Sequence, residues 1–176
     1  MATAPFIKAR QMAARFNLFV SLFWTVLCLG PAAWYCYLYV PPGWLWVPGA
    51  ASLLPYFVPK SWLNHYASTG FYERIGVRGL LKFVQHGKLV NGMIRKRYPG
   101  YRIIYNSETI HRKVEETYMF ERFHYGLFLA LLILTFHARN WYWILVILVC
   151  NIGYNVYPVF MQQYVRLRLK ASRHKI

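Results

Sequence analysis

Thr117, Glu121 and His124 are the residues whose types and spacing most readily suggest chemistry. They stand at i, i+4 and i+7 and so share one face of a helix. Glu121 and His124 are three apart, within reach of a hydrogen bond. A carboxylate that orients an imidazole makes a general base able to take the proton of a substrate hydroxyl. Glu121 and His124 are therefore the candidate catalytic pair, His124 as base and Glu121 as its holder. The same spacing also suits a plain pair at a membrane surface with its polar ends turned to the headgroups. Glu-x-x-His occurs in carboxylate-bridged metal sites too, but those need a second such pair and further carboxylates, which the chain lacks. His65, His86, His111, His137 and His174 show no ligand spacing, so no metal is expected.

A second polar row lies further on. Asn151, Asn155 and Gln162 fall at i, i+4 and i+11, with Arg166 at i+15, all within a narrow arc of an ideal helix that Pro158 can bend. Amides inside an apolar run either tie helices together or line a polar pocket. Ending in Arg166 and Arg168, the row reads as a candidate substrate-binding wall. All five acidic residues are Glu (Glu73, Glu108, Glu115, Glu116 and Glu121), with no Asp anywhere. So few anions in so cationic a chain imply that each has a local partner. There is no nucleophile elbow, P-loop or dinucleotide fingerprint.

These residues need helices in a bilayer to position them. The chain is 57% hydrophobic, yet 21 Lys+Arg against 5 Asp+Glu give a net charge of +16. Soluble nucleic-acid binders can be as basic, but they lack the uncharged runs found at 16–59, 123–138 and 140–165. A crossing takes about 20 apolar residues. The cations gather before Phe16, between Lys60 and Arg122, and after Val165, which the positive-inside rule reads as cytoplasmic. The expectation is an all-α integral membrane protein of about four transmembrane helices, one membrane domain over residues 1–176, with both termini cytoplasmic and no nucleic-acid partner. The crossings are placed at about 16–39, 44–58, 123–136 and 141–160, with a cytoplasmic basic segment over 60–122. Residues 44–58 carry Pro48 and Pro55 and suit a thin tilted crossing or a re-entrant hairpin; the charge rule favours the crossing, since a hairpin would put the three N-terminal cations outside. The first apolar run is too long for a cleaved signal peptide and flows into the next. Ala138-Arg139-Asn140 leaves room only for a tight turn, so the last two crossings pair as a hairpin. Asn106-Ser107 suits the N-cap of the helix that carries Glu121. Val77, Leu80, Leu81 and Val84 oppose Arg74, Arg78, Lys82 and Gln85. The stretch 71–85 is thus expected as one amphipathic helix on the membrane surface, touching lipid. Cys28, Cys36 and Cys150 all lie in apolar runs and read as packing residues.

One further pattern spans about 70–170. Phe71-Tyr72-Glu73-Arg74-Ile75-Gly76 is followed by Lys82, Asn91-Gly92 and Asn106-Ser107-Glu108. Then come Glu116-Thr117, Glu121 and His124 in the spacing E-T-x-x-x-E-x-x-H, and Asn155 before Gln162-Gln163-Tyr164-Val165-Arg166-Leu167-Arg168-Leu169. In order and spacing this resembles the glycosyl-4,4′-diaponeurosporenoate acyltransferases, small membrane enzymes of staphyloxanthin-type carotenoid synthesis. Leu167 departs from a position that can be Pro in that family. The resemblance implies transfer of a fatty acyl group to a sugar hydroxyl of a glycosylated carotenoid or related glycolipid acceptor, at the cytoplasmic face of a bacterial-type plasma membrane. An acyl thioester would be the co-substrate, with no bound cofactor, and the matched positions Glu73 and Glu116 join the substrate-binding candidates. The competing expectation is a non-catalytic small subunit of a larger membrane complex.

Overall fold

A computed structural model describes residues 4–64, 67–84, 87–102 and 107–173. Among these residues the secondary structure is all helix and turn. Three helical stretches are long and apolar enough to cross a membrane. The first is α1 (Ala4–Tyr39), which runs unbroken through Pro31. Leu18, Phe19, Leu22, Phe23, Val26 and Leu27 of α1 are exposed, a surface suited to lipid rather than water. The other two stretches form the expected hairpin. After α6 (Ser107–His137) comes a sharp turn at Ala138-Arg139-Asn140. Then follow α7 (Trp141–Asn151), a π turn over Ile152–Val156 and α8 (Tyr157–Arg173). Asn140 caps α7 by accepting a hydrogen bond from the Tyr142 N–H at 2.9 Å. Helix α6 starts at Ser107; its expected cap partner Asn106 lies outside the described residues.

The second expected crossing is not a spanning helix. Residues 42–58 form a 3-10 turn (Pro42–Leu45), the short α2 (Trp46–Ala51) and another 3-10 turn (Leu54–Phe57). Prolines at 41, 42, 48, 55 and 59 supply no N–H and keep any one helix short. The broken segment nonetheless follows α6 in antiparallel sense. Trp44 packs against His137 with ring centroids 4.6 Å apart. The Ser52 carbonyl sits against Gly126, closely enough that a Cβ there would collide with it. Arg122 Nη2 donates to the Val58 carbonyl at 2.7 Å, and the Tyr118 hydroxyl donates to Asn64 Oδ1 at 2.6 Å. Lys60 pairs with Glu115 beside them. From His137 to Tyr118 this is about 28 Å of helix.

The single surface helix expected over 71–85 is two helices, α3 (Thr69–Arg74) and α4 (Val77–Leu80). Gly76 lies between them with φ +82°, a left-handed conformation that ends a helix and suits glycine. The sidedness of the pattern survives the break. Val77 is fully buried against Tyr72, Met161 and Tyr164, with Leu81 and Val84 alongside, while Arg74, Arg78 and Lys82 are exposed; Leu80, expected on the apolar face, is exposed as well. Gln85 lies outside the described residues. Helix α5 (Lys88–Arg97) buries Val90 and Ile94 against Ala9 and Ala13 of α1. Its last turn is Arg95-Lys96-Arg97, favourable beside the negative end of the helix dipole.

Candidate active site

Helices α6 and α8 meet face to face over a buried polar core. Glu121 and Arg166, one from each helix, are both fully buried and form an ion pair. Burying two charges is tolerable only when each is matched and the remaining donors and acceptors are satisfied. Here they are. The second Glu121 oxygen accepts from Gln163 Nε2 at 2.7 Å. Arg166 gives Nε to Thr117 Oγ1 at 3.0 Å and Nη1 to the Leu63 carbonyl at 2.7 Å. Its guanidinium lies 3.8 Å from the centroid of the Tyr118 ring. Gln163 Oε1 accepts from the Tyr72 hydroxyl at 2.7 Å, which ties α3 into the same network.

The expected bond between Glu121 and His124 is absent from this arrangement. The carboxylate is taken by Arg166, because a buried guanidinium is a stronger claim on a buried anion than an imidazole on the same helix. His124 turns instead to the π turn. Its Nδ1 lies 3.3 Å from Asn155 Oδ1. Asn155 Nδ2 donates to Asn151 Oδ1 at 2.8 Å, and Asn151 Nδ2 donates to the Phe128 carbonyl at 3.1 Å. The donor order has a consequence. Asn155 spends its amide N–H on Asn151 and offers its oxygen to the ring, so in a neutral His124 the proton sits on Nδ1 and Nε2 keeps a lone pair.

The π turn also explains which amides face inward. One extra residue in a turn retards everything downstream by about one residue's rotation, roughly 100°. Asn151, Asn155 and Arg166 are buried as expected, but Gln162 is only half-buried and Gln163 takes the inward place. Pro158 marks a bend in this helix but does not by itself foretell the shift. Glu116 is not part of the core; it pairs with Lys113 and Arg112 on its own helix. Glu73 lies at the basic end, where its Oε1 accepts from the Tyr164 hydroxyl at 2.7 Å. With Thr69, Arg78, Tyr164 and Arg168 it lines a surface hollow of about 200 Å³. No group of three or more His, Cys, Asp or Glu side chains comes together among the described residues.

A family model described as glycosyl-4,4′-diaponeurosporenoate acyltransferase matches residues 54–175, about two thirds of the chain. The chain belongs to this family. Neither the comparison with curated proteins nor that with solved structures gave a match. The matched part of this acyltransferase-family chain holds all of α6, α7 and the π turn, hence His124 with both amides and the Glu121–Arg166 pair. Helix α1 lies outside it.

Proposed function

We propose that the protein esterifies a sugar hydroxyl of a glycosylated carotenoid, or a related glycolipid, with a fatty acyl group taken from an acyl thioester. The observation that carries this reading is His124, held at Nδ1 by Asn155, in a chain of an acyltransferase family. Nε2 takes the proton of the acceptor hydroxyl as the oxygen attacks the thioester carbonyl. The tetrahedral adduct collapses, the thiolate leaves, and the imidazolium returns its proton to that sulfur. Asn155 and Asn151 then serve as positioning residues for the base. Glu121, Arg166 and Gln163 act one step further back, fixing α6 against α8 and so the distance from His124 to Asn155. Glu73 and Arg168 line a hollow able to take a polar headgroup.

The setting that fits this chemistry is a plasma membrane with the basic end in the cytoplasm, where acyl thioesters are made. The whole chain then acts as one membrane domain, with no resident cofactor. The test is ester formation by purified protein supplied with a glycosylated carotenoid and an acyl thioester. His124→Ala should lose about 10²- to 10⁴-fold in rate while keeping membrane insertion and thermal stability. Turnover of that variant at the wild-type rate overturns the assignment. A wild type that is inactive with every donor and acceptor, and purifies only inside a larger assembly, supports a subunit role instead.

A further inference from the structure

Beside His124 stands a second polar pair that the scheme above leaves unused. Tyr154, in the π turn, sets its ring edge-on to the imidazole, with centroids 5.7 Å apart and planes at 70°. Its hydroxyl reaches across to α1 and meets Thr25 Oγ1 at 2.7 Å. Two hydroxyls carry two protons but share one hydrogen bond here, so one O–H has no acceptor among the described residues. Thr25 sits among Leu22, Val26 and Leu27, which face outward from an apolar helix. An O–H left without an acceptor in such a place is unfavourable until an oxygen arrives to take it. Acyl transfer brings such an oxygen. As the acceptor attacks, the thioester carbonyl oxygen gains a negative charge, and a fixed donor aimed at it lowers the barrier.

We propose that the Tyr154–Thr25 hydroxyl pair donates the hydrogen bond that stabilises this oxyanion. The inference rests on the acyltransferase reading. The new C–O bond forms as the hydroxyl proton passes to His124, and the carbonyl π electrons move onto oxygen, against the Tyr154–Thr25 donor. When the carbonyl re-forms, the C–S bond breaks and the thiolate takes the proton from His124. Neither Tyr154 nor Thr25 changes protonation state. Helix α1, outside the family-matched segment, thereby contributes to the site.

The test uses the full-length protein with an acyl thioester and with the matching dithioester, in which C=S replaces C=O and the sulfur accepts hydrogen bonds poorly. Wild type should prefer the thioester strongly. Tyr154→Phe should lose roughly 10²- to 10³-fold in kcat with KM unchanged, and should lose the preference for oxygen over sulfur. Thr25→Val should lose part of both, and Thr25→Ser should restore them. Where Tyr154→Phe does not fold, the Thr25 variants carry the same readout. A folded Tyr154→Phe, or Thr25→Val, that keeps the wild-type preference overturns the proposal, whatever its rate. A wild type with no acyl transfer at all overturns the acyltransferase reading and this inference with it.

Discussion

An imidazole that works as a base has to be held at one nitrogen and open at the other, and at His124 the holding is done by a neutral amide. Asn155→Ala removes two hydrogen bonds, one to Asn151 and one to His124, and the one that holds the ring is of net worth about 0.5–1.5 kcal/mol. If that bond orients the base, kcat should fall by up to about tenfold with little change in KM. Asn151→Ala should show a smaller loss in the same direction, since it acts through Asn155. An unchanged kcat in both would remove the amides from the mechanism. His124, Glu121, Asn151 and Asn155 were each legible from type and spacing. The partners of Glu121 and His124 were not, because their pairing depends on contacts between residues far apart in sequence. Glu121 stands three residues from His124 but is claimed by Arg166, 45 residues away.

Between elements, the Glu121–Arg166 pair is the main polar tie of α6 to α8. Removing one member of a fully buried pair strands the other charge, at about 3–5 kcal/mol. Glu121→Leu and Arg166→Met should each be destabilised on that scale in detergent unfolding. The double variant should recover most of the loss, since an apolar pair of similar volume often replaces a buried ion pair at little cost. Additive losses would show that the charges matter for something other than each other. Gly126 marks the second contact of this kind. A Cβ there runs into the Ser52 backbone carbonyl, so Gly126→Ala should destabilise by about 1–3 kcal/mol and loosen the broken segment from α6. The hairpin of α6 with α7 and α8 followed directly from the long uncharged runs and the short turn. The inward face of α8 did not, because an ideal 3.6-residue period cannot foresee a π turn. Pro158 told of a disturbance, not of the one-residue lag that exchanges Gln162 for Gln163. The surface helix was likewise legible in its sidedness but not in its break at Gly76, where a left-handed φ separates α3 from α4.

For the molecule as a whole, what the sequence leaves open is the return from the far end of α1. Charge placement asks for four passes, while the prolines deny the second pass a helix. In the structure 42–64 runs down the side of α6, from Trp44 beside His137 to Asn64 beside Tyr118. Non-helical backbone is tolerated at membrane depth where protein covers it. The 3-10 and α turns, with the Arg122–Val58 and Arg166–Leu63 bonds, satisfy part of its polar backbone. The length followed, about 28 Å along α6, matches a hydrocarbon core of about 30 Å. This predicts that Gly43 and Ser61 lie on opposite sides of the membrane. Gly43 has open space around its Cα and Ser61 is exposed, so cysteine fits at either. With Cys28, Cys36 and Cys150 replaced by alanine, an impermeant maleimide added to intact cells should label Gly43→Cys. Ser61→Cys and Arg97→Cys should react only after permeabilisation, as cytoplasmic positions of the basic end. Labelling of Gly43→Cys and Ser61→Cys from the same side would make 42–64 a re-entrant loop. The N-terminal cations would then lie outside, and the tie between α6 and its broken partner would have to form without a crossing.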